Sequence, residues 1–158
     1  MTVTLERPVS ATDALTLVAP EVTDRLTHRI TADHPEITAE TARRIVGQSA
    51  AFIAASGQQP GQSLAPSELV DYGWHAFILH TVDYAEFCQR VVGSFVHHVP
   101  TDEGEQLTGG PRATRERTLA AITAAGYTVD EDLWPTISND CSQCHAGCSD
   151  SPNSGGKK

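Results

Sequence analysis

The chain has 158 residues, enough for one hydrophobic core that is stable without disulfide staples. Twenty acidic side chains against 11 basic ones give a formal charge of −9, and no basic stripe offsets it, which excludes nucleic acid as a natural partner. Only 39% of the residues are hydrophobic, yet they gather in a few segments, so one region folds well and the ends do not.

Residues 1–10 read as a flexible arm. The opening MTVTLERPVSATDALTLVAP lacks a basic stretch followed by an apolar one, and no apolar run in the chain is long enough to span a bilayer. The expectation is a cytoplasmic protein with no membrane partner, whose thiols stay reduced. Ser10 or Thr12 is expected to cap a short helical segment that Pro20 interrupts; a helix resumes over Glu21 to Ala32 until His34-Pro35 stops it. Thr38 then caps a clearer helix. Its Ala42, Ile45, Val46, Ser49, Phe52 and Ile53 recur at helical spacing, with Gly57 in the position of a C-terminal cap.

After the loop GQQPGQS, Ser67 is a good N-cap for a helix over Glu68 to Leu79. Thr81 or Asp83 starts another over Tyr84 to Val92, so a bend is expected near His80 and an end at Gly93. The segment SFVHHVP reads as extended, because Pro100 restricts Val99. A polar, Gly-rich loop spans Asp102 to Pro111. A helix follows from Arg112 to Ala125, with Thr118, Leu119, Ile122 and Ala125 along one side and Gly126 closing it. GYTVDEDLWP is a short last element that packs Val129, Leu133 and Trp134 on the core. The fold class expected is all-α: a small irregular helical bundle over 11–137, with a disordered C-terminal tail over 138–158 that bears Cys and His. Trp74, Phe77, Ile78, Phe87, Val91 and Phe95 should be buried against Ile45, Phe52 and Ile122.

Four of the seven histidines fall between Val70 and Pro100. On a helix Asp71 and His75 are four apart, roughly 40° of rotation, so both reach one point. His80 lies five beyond His75, about 140° round, and joins them only through a bend; otherwise it faces Tyr84 and Cys88. His97 and His98 are adjacent in an extended segment and point opposite ways, so at most one enters a given site. Imidazole plus carboxylate suits a transition metal, zinc first, with iron or copper next. The bland alternative is a buried polar network around Trp74. Cys88, between Phe87 and Val91, reads as a small buried hydrophobe.

The order Asp71, Trp74, His75, then Thr81, Tyr84, Phe87, Cys88, then Gly93, Phe95, His97, His98, Pro100 resembles the glycine-rich domain-containing protein-like family. There an Asp-x-x-Trp-His helix is paired with a Tyr-x-x-Phe-Cys helix and a terminal His-His-x-Pro. The resemblance covers about a fifth of the chain and implies a shared helical module, with no substrate or catalytic role attached. The long Gly-rich region that names the eukaryotic members is missing here.

Cys141, Cys144, His145 and Cys148 place four ligands in eight residues. C-x-x-C-H is also a haem-attachment pattern, but the initiator is the chain's sole methionine and no export signal is visible. Zinc or Cu(I) binding is the leading expectation for this tail, as a site independent of the core histidines; a redox pair Cys141/Cys144 and an inert tail are the rivals. The function expected is therefore metal binding, at an Asp/His site in the core and at the tail. The alternatives are a metal-dependent hydrolase or oxygenase using Asp71, His75 and a loop histidine, and a metal-free interaction module with a protein partner or a precursor with a modified tail.

Overall fold

The structure, a computed structural model, describes residues 10–99 and 108–136. Among them are five α-helices, α1 (Pro20–Asp33), α2 (Ala39–Gln58), α3 (Glu68–Leu79), α4 (Thr81–Val91) and α5 (Gly110–Ala124), with 3₁₀ turns at Ala14–Leu17 and Glu131–Leu133. No strand occurs among the described residues; Thr12 and Tyr127 form one isolated parallel bridge. The all-α bundle expected from periodicity is what forms. The arm over residues 1–9 and the tail from 137 onward lie outside the described residues. No helix among the described residues is long and apolar enough to cross a membrane.

Local chemistry explains most boundaries. Thr38 and Ser67 cap α2 and α3 as their sequence positions indicate, each hydroxyl accepting from the amide three residues on. At the start of the chain the expectation fails. Asp13, not Ser10 or Thr12, accepts from the Leu15 amide to cap the first 3₁₀ turn. Pro20 does not interrupt a helix but opens α1 at N1, where its missing N–H leaves no bond unmade. Neither Thr81 nor Asp83 caps α4: the N-cap is His80, without a side-chain bond, and Asp83 instead pairs with Arg25 of α1 at 2.7 Å.

The helix α2 is the hub, buried along most of its length and packed on α1, α3 and α5. Close approach explains two of its glycine contacts. Gly57 lies inside α2 rather than capping it, and a Cβ there would sit 2.2 Å from Val92 Cγ1 at the end of α4, which leaves no room for a side chain. Gly73 of α3 meets α2 so closely that a Cβ would lie 2.1 Å from Ser49 Oγ. That hydroxyl is 2.8 Å from the carbonyls of both Ile45 and Val70, tying the two helices through one buried polar atom. Phe52 meets the Trp74 ring edge-on at 5.1 Å, and Phe77 packs on Phe87 and Tyr84.

The last described segment is pinned down by polar bonds. Gln48 Oε1 accepts from the Trp134 indole at 2.9 Å and from the Asp130 amide at 3.1 Å, while its Nε2 donates to the Thr128 carbonyl. Arg44 forks onto Asp130 at 2.7 Å on both bonds and reaches Asp132 at 2.8 Å, and these carboxylates, Asp130 first, hold its guanidinium well above its ordinary range. One burial expectation is corrected here. Trp74, Phe77 and Phe87 are buried, and Ile78 and Val91 half-buried, but Phe95 is 50% exposed.

Candidate metal centre

Asp71 and His75 lie one turn apart on α3, so the helix itself sets their spacing. His75 Nε2 is 3.5 Å from Asp71 Oδ2. The third member arrives from a different element. His98, in the extended segment after α4, places Nε2 at 3.0 Å from Asp71 Oδ1, and its ring lies 4.5 Å from that of His75. One ligand atom from each of the three residues can be chosen so that all lie within 4.8 Å of one another. Side-chain exposure is 30% for Asp71, 55% for His75 and 18% for His98, so the cluster is neither sealed nor fully solvated.

What delivers His98 is a short relay of buried polar groups. The Trp74 indole donates to the Tyr84 hydroxyl at 2.9 Å, and that hydroxyl donates to the Val96 carbonyl. Burial holds the Tyr84 phenol well above the usual tyrosine range, which keeps the proton it needs for this bond. With Val96 fixed, His98 packs against Trp74, the two rings tilted by 58° with centroids 4.4 Å apart. Tyr84 is the residue that sequence reasoning missed. It sits in the first turn of α4, ten residues beyond Trp74 and across the bend at His80, so helical spacing gave no signal of the pairing.

His80 and His97 lie elsewhere. His80 Nδ1 donates to the Ala76 carbonyl at 2.9 Å, closing the end of α3, and the bend beside it does not turn the ring toward Asp71. His97 is exposed and packs edge-on against Phe95 at 4.8 Å. Cys88 is a fully buried free thiol in the core. Cys141, Cys144, His145 and Cys148 lie outside the described residues.

The triad forms one wall of an open cleft of about 1410 Å³. Phe52, Leu64, Trp74 and Val96 make it mainly apolar, and Ser67 and Pro111 line it from the starts of α3 and α5. A family model described as UCP032817-like matches residues 14–116, more than half of the chain. The chain belongs to the UCP032817-like family. Comparison with curated proteins and with solved structures returns no match.

This replaces the resemblance to the glycine-rich domain-containing protein-like family, which is not the family found. The thirty residues behind that resemblance are largely those that pack α3 on α4 and hold the segment after it: Trp74, Tyr84, Phe87 and Cys88 are all buried. Such a pattern records a local helix pair, whereas the UCP032817-like match extends from the first 3₁₀ turn into α5. All three triad residues fall within the matched stretch, and the Cys/His octapeptide falls beyond it.

Proposed function

We propose that this UCP032817-like protein binds a divalent transition metal, zinc first, through Asp71, His75 and His98. The observation that carries the reading is the convergence of two imidazoles and one carboxylate from two separate elements on one point of a cleft wall. Zinc takes nitrogen and oxygen ligands at about 2.0–2.2 Å, so a tetrahedral set has its donor atoms roughly 3.4 Å apart. His98 lies 3.0 Å from Asp71 Oδ1 and His75 3.5 Å from Asp71 Oδ2, and with one donor atom taken from each residue the set spans up to 4.8 Å, so the side chains would draw together around such an ion. The donor set also suits iron or copper, and a reducing, cytoplasmic setting agrees with the buried free thiol of Cys88.

The cleft favours a second, more specific reading. Three protein ligands leave coordination positions open, and an ion with open positions beside an apolar cleft can polarise a bound molecule or activate water, as a hydrolase or oxygenase requires.

The test is zinc titration by calorimetry of the full-length chain carrying Cys141→Ser, Cys144→Ser and Cys148→Ser, so that only the core reports. One ion should bind per chain. Asp71→Asn, His75→Ala and His98→Ala in that background should each weaken binding at least by the roughly 10- to 100-fold that even outer-shell partners contribute. A serine background that takes up no zinc, iron or copper at neutral pH ends the proposal, leaving the triad as a hydrogen-bonded polar cluster.

A further inference from the structure

We infer that the cleft takes a monocarboxylate with an apolar body, its carboxylate completing the coordination of the ion held by Asp71, His75 and His98. This rests on the metal-binding reading above and names the class of ligand that the site selects.

Charge fixes the head. Among the described residues no Lys or Arg lines the cleft. Arg115 and Arg117 of α5, which borders it, donate instead to the Trp134 and Ser63 carbonyls. Glu68, the other carboxylate in the described lining, accepts from the Tyr72 hydroxyl at 2.7 Å and keeps its negative charge. The described walls thus supply no fixed cation, and a head group meets positive charge at the ion. A divalent ion on one carboxylate and two neutral imidazoles retains one net positive charge. One further carboxylate neutralises it. A phosphate dianion or a polyanion would bring excess negative charge toward Glu68, on a chain whose formal charge is already −9.

The walls fix the body. Phe52, Leu64, Trp74, Val96 and Pro111 make a largely apolar surface that begins at the triad itself. The His98 ring lies 4.4 Å from that of Trp74, and the Trp74 ring 5.1 Å from that of Phe52. A ligand whose head reaches the ion therefore lays its next atoms against aromatic carbon. Polar groups that could hold a sugar or a peptide are mostly engaged. The Trp74 indole donates to Tyr84, while Ser67 Oγ donates to the Leu133 carbonyl and accepts from the Val70 amide. Ser56 Oγ has no partner but is buried. A ligand rich in hydroxyl or amide groups would lose water there without replacement, whereas an apolar chain or ring gains by leaving water. On binding, the carboxylate replaces water on the ion, and no bond within the ligand breaks.

Calorimetry on the zinc-loaded full-length chain, in the tail-serine background, compares octanoate, acetate, 1-octanol and octyl phosphate. Octanoate has six more methylenes than acetate, each worth about fourfold when buried, so even partial burial should make it about 100-fold tighter or more. 1-Octanol, which lacks the carboxylate, and octyl phosphate, a dianion at about pH 8, should each bind about 10-fold more weakly than octanoate or worse. Removing zinc with EDTA should abolish octanoate binding. Leu64→Asp should weaken octanoate about 10-fold and leave the affinities for zinc and acetate unchanged; if that change prevents folding, Leu64→Ala should give a smaller loss of the same sign.

Zinc uptake with octanoate no tighter than acetate overturns the inference and leaves the metal site standing. Octanoate binding that survives EDTA, or 1-octanol bound as tightly, overturns it by showing that the head is not on the ion. Octyl phosphate bound more tightly than octanoate overturns the charge argument. Failure of the underlying reading looks different: the chain takes up no zinc, and the inference falls with it.

Discussion

Gln48 and Asp71 each place a polar side chain in the wall of one helical bundle, and they are handled in opposite ways. At Gln48 the partners are the Trp134 indole, the Asp130 amide and the Thr128 carbonyl, so both amide atoms are engaged and the side chain is buried. At Asp71 the partners are two imidazoles, all three groups are partly exposed, and a cleft adjoins them. A closed network specifies where a segment docks; an open one keeps lone pairs on a surface that an ion can reach. What separates the two is therefore not the number of polar atoms but whether the set of partners is complete.

The largest expected effect lies in the closed region. Trp134→Ala removes a fully buried ring that packs near Phe52 and donates to Gln48, and should lower stability by about 3–5 kcal/mol in denaturant titrations. A loss below about 1 kcal/mol would mean that the segment from Tyr127 to Trp134 is not docked as described.

Next comes the contact between α2 and α3. Gly73→Ala puts a methyl group against Ser49 Oγ and Ile45 Cγ2, and should destabilise by about 1–3 kcal/mol. Asp71 and His75 share one helix, so their spacing should survive this change, and zinc binding by the folded protein should persist. Loss of binding in a variant that still shows native helicity by circular dichroism would break the view that α3 carries both ligands as a rigid unit.

Tyr84→Phe tests the relay behind the open region. The ring stays and the hydroxyl goes, leaving the Trp74 indole and the Val96 carbonyl without their partner, at about 1–2 kcal/mol. Because the relay places His98, zinc affinity in the tail-serine background should fall about 10-fold. The same residue gives a pH signature. Burial raises the Tyr84 pKa above its ordinary value of 10.0 in the folded state only. Above pH 10 the unfolded chain releases a proton that the folded chain retains, so stability present below pH 10 is lost as pH rises. Chemical denaturation from pH 8 to 11 should show that decline in the parent and a weaker one in Tyr84→Phe; equal slopes would show that another group dominates.

The smallest effect should come from Phe95→Ser. Half-exposed, this ring lies on the outer side of the segment and should shift stability by no more than about 0.5 kcal/mol, with zinc affinity unchanged. A larger loss on either count would show that Phe95, packed edge-on against Tyr84 at 5.2 Å, helps to hold the relay.

Features set within one helical turn were legible from the amino-acid order. The caps at Thr38 and Ser67, the apolar period of α2 and the pairing of Asp71 with His75 four residues on all depend on neighbours that the backbone brings together by itself. Alternation in an extended segment likewise said that His97 and His98 would part, but not which would turn inward. That choice rests on bonds between residues far apart in sequence: Trp74 to Tyr84, then Tyr84 to Val96. The same bonds hold the segment without burying Phe95, and a close approach of α4 requires Gly57 to have no side chain even though it lies within a helix. Propensity and periodicity rank conformations over a few residues, whereas a ligand arriving from another element depends on how helices pack, and many sequences share the first while differing in the second.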